Sequence, residues 1–347
     1  IWVGRFLGPV ALTATANANT LLFLLIGTVF GLTMAATILV GQHYGARRPD
    51  EARRVVGTSA TFFTLLAVGI CVVGWLLSER LLRWMSTPAD AVPLAIAYLR
   101  IVFVALPFMY LYTFVMAVLR GAGDSKTPFK FLVLQVALDI ALNPLLIFGA
   151  GPLPGLGIAG SALATLIASA TSLAALVAHL YRRHHELCLR GPDLALLRVD
   201  RAILATLVRK GVPMGLQMIV VSGSAIVMIM LVNRFGTDTT AAYGAAWQLW
   251  NYVQLPAFAL GAAVSSMAAQ NVGANRWDRV GRTAKVGVAL SMGMTAALVV
   301  PTVLLDRWML GLFLAPGPAL DAAVHLHAIG SWSFVLFAVS VVLFGVV

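Results

Sequence analysis

Gln42-His43-Tyr44-Gly45-Ala46-Arg47-Arg48-Pro49-Asp50 and Gln270-Asn271-Val272-Gly273-Ala274-Asn275-Arg276-Trp277-Asp278 share the pattern Gln-x-x-Gly-Ala-x-Arg-x-Asp at an offset of 228 residues. Two more pairs keep nearly the same spacing. Val3-Gly4-Arg5-Phe6 returns as Val232-Asn233-Arg234-Phe235 at 229, and Arg83-Trp84-Met85 as Arg307-Trp308-Met309 at 224. Three matches at nearly one offset mark an internal duplication.

The segments between these motifs say what is duplicated. Sixty per cent of the 347 residues are hydrophobic and 11% charged, about half the charge that a water-soluble domain carries. Charge-poor apolar stretches run at 10–40, 57–78, 93–119, 131–148, 157–181, 211–233, 240–271, 286–305 and 322–347. Each is near or above the ~20 residues that a helix needs to cross a bilayer. They lack period-2 alternation, so they read as helices and not barrel strands. The expectation is an all-α polytopic membrane protein with nine complete spans.

Charge sets the orientation. Loops 41–56, 120–130, 182–210 and 272–285 hold 18 of the 24 Lys and Arg residues. This is the positive-inside pattern, and it accounts for the net charge of +11 without a nucleic-acid partner. Basic loops are thus expected in the cytoplasm and the chain in the inner or plasma membrane. Because both Gln-x-x-Gly-Ala motifs open basic loops, the copies face the same way. They are parallel six-helix bundles related by a pseudo-twofold axis along the membrane normal. Twelve spans are then expected of the intact protein. The chain reads as a piece holding the outer end of span 1 and spans 2–10, without most of span 1 and all of spans 11 and 12, and residues 1–9 are taken as the loop before the first complete span. The expected organisation is an amino-terminal bundle over 1–182, a cytoplasmic linker over 183–210 and a truncated carboxy-terminal bundle over 211–347. Within the linker, Leu196, Leu197, Ile203, Leu204, Leu207 and Val208 fall at helical spacing, predicting one amphipathic helix across 192–210 on the inner leaflet. Cys71 and Cys188 suggest neither a disulfide nor a metal site.

Of thirteen Asp and Glu residues, only Asp139 sits mid-span. A charge at that depth is costly and normally faces a cavity in which it acts. Asn143 lies one turn on, over the same face, and Pro144 deprives the Ile140 carbonyl of its helical N–H partner. Such a cluster suits a proton, or a dehydrated sodium ion at Asp139 and Asn143. Thr165 of the neighbouring span adds a hydroxyl. The plainer alternative is that Asp139 and Asn143 bond each other and lock a helix kink.

Arg120-Gly121-Ala122-Gly123-Asp124-Ser125-Lys126-Thr127-Pro128 resembles the R-G-x-G-D-T-K-T-P loop of the MATE (multidrug and toxic compound extrusion) family. Asn143-Pro144-Leu145-Leu146-Ile147-Phe148-Gly149, Gly160-Ser161-Ala162-Leu163-Ala164-Thr165 and the twin Gln-x-x-Gly-Ala motifs are similar to that family too. The resemblance covers the whole chain. It implies an antiporter, driven by protons or sodium, that expels drug-like and often cationic molecules through a cavity opening alternately inward and outward. It also implies that Asp139, Asn143 and Thr165 match an amino-terminal cation site. The family's order there is Asn-x-x-x-Asp-Pro, whereas this chain has Asp139-x-x-x-Asn143-Pro144. By the same resemblance a second carboxylate is expected two positions before Ile1. Acidic positions that some relatives carry in the second bundle align here with Val221 and Phe337.

Polar and aromatic residues within spans are candidate cavity contacts for organic cations: Tyr110, Gln217, Trp247, Trp250 and Asn251, with Met109, Tyr112, Ser222, Ser224, Gln248 and Gln254 as weaker ones. Helix packing or an interface belt explains them equally well. Gly155-Leu156-Gly157-Ile158-Ala159-Gly160 matches a dinucleotide fingerprint in form only, since no strand-helix-strand unit surrounds it. It reads as a tight outer turn. His179, His184 and His185, like His325 and His327, read as interfacial residues at helix ends. Arg100 lies about two turns inside its span and either snorkels outward or pairs with a group in the outer cavity. No cofactor, metal or enzymatic chemistry is expected, and a monomer is. The rival readings are a lipid-linked oligosaccharide flippase, which needs several basic groups in its cavity, and an intramembrane enzyme, for which the spans hold no paired Asp, H-E-x-x-H or Ser/His set.

Overall fold

The computed structural model describes residues 8–84, 91–150 and 153–346. The Val3–Phe6 copy, the end of span 1 and Met85 lie outside them. Eleven α-helices are described: α1 (Gly8–Gly45), α2 (Pro49–Trp84), α3 (Val92–Gly121), α4 (Lys126–Phe148), α5 (Ile158–Arg182), α6 (Arg201–Val232), α7 (Thr237–Gly273), α8 (Trp277–Leu304), the short α9 (Asp306–Leu310), α10 (Pro318–Gly330) and α11 (Ser333–Val346). Eight are long and apolar enough to cross a membrane, and nine spans result when α10 and α11, bent by 47° at their joint, count as one. Leu65, Val133, Val220 and Leu336 are among many large apolar side chains left exposed, as suits helices solvated by lipid.

All four basic loops begin with the same helix ending. After α1, Arg47 and Arg48 donate their backbone N–H groups to the carbonyls of Tyr44 and His43, each at 3.0 Å. After α7, 228 residues on, Asn275 and Arg276 do the same to Val272 and Asn271 at 3.0 and 2.8 Å. Gly123 and Asp124 close α3 in this way, and His184 and His185 close α5. These are Schellman endings, which satisfy the last carbonyls through one left-handed residue. Arg47, Asn275, Gly123 and His184 hold it, at φ 56°, 55°, 92° and 52°. The duplicated motif is therefore duplicated as local structure, bond for bond.

The chain divides into two compact units. One comprises Ile1–His43 and Arg48–Met218, the other Tyr44–Arg47 and Ile219–Val347. In the first, α3 packs on α2 and α5, and α4 packs on α5, around buried Phe63, Leu99, Leu106, Phe114 and Leu207. Phe63 stacks on Phe114 with ring centroids 4.9 Å apart. In the second, α7, α8 and α11 pack mutually and α10 lies on α7.

The linker differs from the expected single amphipathic helix. A 3₁₀ helix, Gly191–Leu197, is separated from α6 by residues 198–200. The break is made by Asp200, whose Oδ1 accepts the N–H groups of Ala202 (2.8 Å) and Ile203 (3.3 Å) and so starts a new helix. That helix then runs through Gly211 and Pro213 as α6, past the boundary expected at 210, and the division between units falls between Met218 and Ile219. The 3₁₀ helix lies along α2. Arg53 pairs with Asp193 at 2.9 Å, Thr61 donates to the Leu197 carbonyl at 2.7 Å, and a Cβ on Gly57 would meet the Leu196 carbonyl at 2.3 Å.

Candidate cation site

Helices α4 and α5 are antiparallel neighbours joined by a two-residue-per-strand hairpin, β1 (Gly149–Ala150) and β2 (Leu153–Pro154). What lets them close up is Gly160, where a Cβ would lie 2.3 Å from the Leu146 carbonyl. Gly157, at φ 55°, makes the turn into α5. The glycine-rich stretch is thus a turn and a packing notch.

On the facing sides, polar residues recur every fourth position: Gln135, Asp139 and Asn143 on α4, Ser161, Thr165 and Ser169 on α5. Period four keeps each set on one stripe, and antiparallel packing pairs them in reverse order. Ser161 Oγ donates to Asn143 Oδ1 at 2.7 Å. Thr165 Oγ1 donates to Asp139 Oδ1 at 3.1 Å, and Gln135 Nε2 to Ser169 Oγ at 3.2 Å. Asn143 Nδ2 turns back to the Asp139 backbone carbonyl at 2.9 Å. Asp139 and Asn143 are therefore linked through the backbone, and the Asp139 carboxylate is held by Thr165 and not by Asn143. The carboxylate, Thr165 and Gln135 line a cavity of about 310 Å³ with Val136, Ile140 and Ala168. Its oxygen-rich wall can take a proton or a hard cation.

Asp139, Asn143 and Thr165 are thus brought together. Ser161, Gln135 and Ser169 are additions that sequence reasoning missed, although the i, i+4 spacing carried them.

The candidate substrate contacts are scattered. Tyr110 is buried and donates to the Leu25 carbonyl at 3.0 Å, and Gln217 is exposed. In the second unit Trp247 stacks on Tyr243 with centroids 6.0 Å apart. Both line a cavity of about 120 Å³ with Ile229, Val232, Asn233, Thr240 and Gly244. Asn251 is exposed and bonds back to the Trp247 carbonyl. Trp250 is buried against His327. That histidine is 0% exposed, which corrects its expected interfacial place, since Trp250 and the α10–α11 joint enclose it. His325 is exposed. Arg100 lies 4.5 Å over the Trp75 ring and bonds Ser78 Oγ at 3.3 Å. No group of three or more metal-binding side chains occurs among the described residues.

A family model described as MatE matches residues 1–145 and 213–347. The "Probable multidrug resistance protein YoeA" of Bacillus subtilis (strain 168) is 41% identical over 335 residues, covering 96% of this chain and 72% of that protein. "Probable multidrug resistance protein YpnP" of the same organism is 33% identical over 281 residues, covering 81% and 61%. The chain thus spans between about three-fifths and three-quarters of the length of these relatives. The "Vibrio cholerae MATE transporter VcmN in the bent form" superposes with a TM-score of 0.90 at 19% identity, over 99% of this chain and 76% of that one. At that identity the likeness is one of fold.

Proposed function

The chain belongs to the MATE family of membrane transporters, which are not enzymes, and from that premise we propose that it is a cation-coupled antiporter exporting drug-like organic cations by alternating access. The observation that carries the coupling is Asp139, a mid-span carboxylate whose Oδ1 accepts the Thr165 hydroxyl beside a cavity. The names of the multidrug resistance relatives support the export of organic molecules.

When Asp139 takes up a proton or sodium ion, it no longer presents a bare acceptor to Thr165, and the bonds between α4 and α5 rearrange. A cation bound from outside thereby favours one arrangement of the bundle, and substrate bound from inside favours the other. The two ligands exchange because each prefers a different state of one shared element. The basic loops face the cytoplasm, with the chain in the inner or plasma membrane.

In cells producing the full-length protein, Asp139→Asn should abolish resistance to cationic drugs while the protein still reaches the membrane at the normal level. Full resistance in that variant would sink the coupling reading.

A further inference from the structure

The second unit holds a buried titratable group that the coupling mechanism leaves unused. His327 lies nine residues into α10, roughly 14 Å along the helix from its start, and is 0% exposed. Its Nδ1 is 3.1 Å from Trp250 Nε1. An indole N–H donates and has no lone pair to offer, so while this bond is made Nδ1 accepts and carries no proton. The other ring nitrogen, Nε2, lies 3.3 Å from Ser331 Oγ.

Trp250 is held on every side. Its Nε1 also lies 3.3 Å from Ser331 Oγ, and that oxygen is 2.9 Å from His327 Nδ1. A Cβ on Gly330 would lie 2.6 Å from Trp250 Cζ2, so the indole spans the joint at which α10 and α11 bend by 47°. Phe334 of α11 packs 5.5 Å from the same ring. One hydrogen bond therefore ties a proton-binding group to the ring that fills the bend.

We propose that His327 is a second proton-binding site of this protein, and that its protonation expels the Trp250 N–H and releases the α10–α11 joint. A proton on Nδ1 would meet the Trp250 N–H head-on, so bond and charge exclude each other. The groups facing the imidazole are Trp250 from α7, on whose ring Tyr243 of the same helix packs, the Thr302 backbone carbonyl from α8, the Asp306 carboxylate from α9, and Ser331 on its own segment. Asp306 is the acidic group among them. Nearby Arg307 is paired with Asp321 at 2.9 Å.

The test reads the bond itself and is independent of transport, so it stands or falls apart from the antiporter reading. Full-length protein labelled with ¹⁵N at its indoles is placed in lipid nanodiscs and titrated from about pH 8 to about pH 5, where histidine changes charge. The Trp250 resonance is assigned by its loss in Trp250→Phe. It should move along a one-proton curve in the wild type and in Ser331→Ala, and stay fixed in His327→Gln, whose amide oxygen accepts the indole without titrating. The exposed Trp277 and Trp308 serve as controls against general unfolding. A Trp250 resonance indifferent to pH in the wild type, or one titrating unchanged in His327→Gln, overturns the proposal.

Discussion

Thr165 donates to Asp139 Oδ1 at 3.1 Å, with the Ser161 carbonyl at 3.3 Å as its other neighbour. A hydrogen bond to a charged group is worth about 1.5–3 kcal/mol and one to a neutral group about 1 kcal/mol, so this bond weakens when Asp139 is neutralised. Thr165→Ala should therefore shift the coupling-ion concentration for half-maximal transport by roughly several-fold, whereas Thr165→Ser, which keeps the hydroxyl, should stay near the wild type. Equal shifts in the two variants would show that the methyl group and its packing matter, not the bond. Asp139 was legible in the sequence because charge is rare within spans. Its partners were less so, since Ser161, Ser169 and Gln135 are unremarkable side chains until two helices are set antiparallel. Only then does a spacing of four on each become a row of three paired bonds. The burial of His327 was hidden for a similar reason: its enclosing group, Trp250, lies 77 residues away.

Helices and their ends were legible to different degrees. Every apolar stretch became helical, the last of them as the bent pair α10 and α11, because a bilayer leaves the backbone no other way to satisfy its own polar groups. The linker misled because an apolar period of 3.6 says nothing of a cap in its midst, and Asp200 is such a cap. Another cap at this scale carries a pH dependence. Asp124 Oδ1 accepts the N–H groups of Lys126 and Thr127, each at 3.0 Å, at the start of α4. Partial burial pushes the carboxyl up, but the bonds from Thr127 and Lys126, with His185 nearby, outweigh it and hold the group below its ordinary value. A group so lowered stabilises the fold above the ordinary carboxylate range, and that contribution is lost as pH falls through the lowered folded-state value. Asp124→Ala should therefore cost about 1 kcal/mol at neutral pH. Thermal unfolding of detergent-solubilised protein should show the gap between variant and wild type closing below about pH 4. A gap that persists in acid would assign the effect to something other than the ionised cap.

At the scale of the whole molecule, the duplication was read from the sequence and recurs in the structure as matching helix endings. The two copies nevertheless differ inside. The first holds a mid-span carboxylate in a row of paired polar bonds, and the second a buried histidine under a tryptophan. The orientation we propose rests on the basic loops. Arg276→Cys should resist a membrane-impermeant maleimide in intact cells and react after lysis, while Ala315→Cys should react in both. The reverse pattern would invert the topology.

The central claim is that an ion at Asp139 drives export. The most direct measurement loads vesicles containing the full-length protein with a fluorescent organic cation and imposes proton and sodium gradients separately. The account predicts that one of these gradients drives the dye across in the wild type and that neither does in Asp139→Asn. Dye movement that follows the same gradient equally well in Asp139→Asn would contradict it.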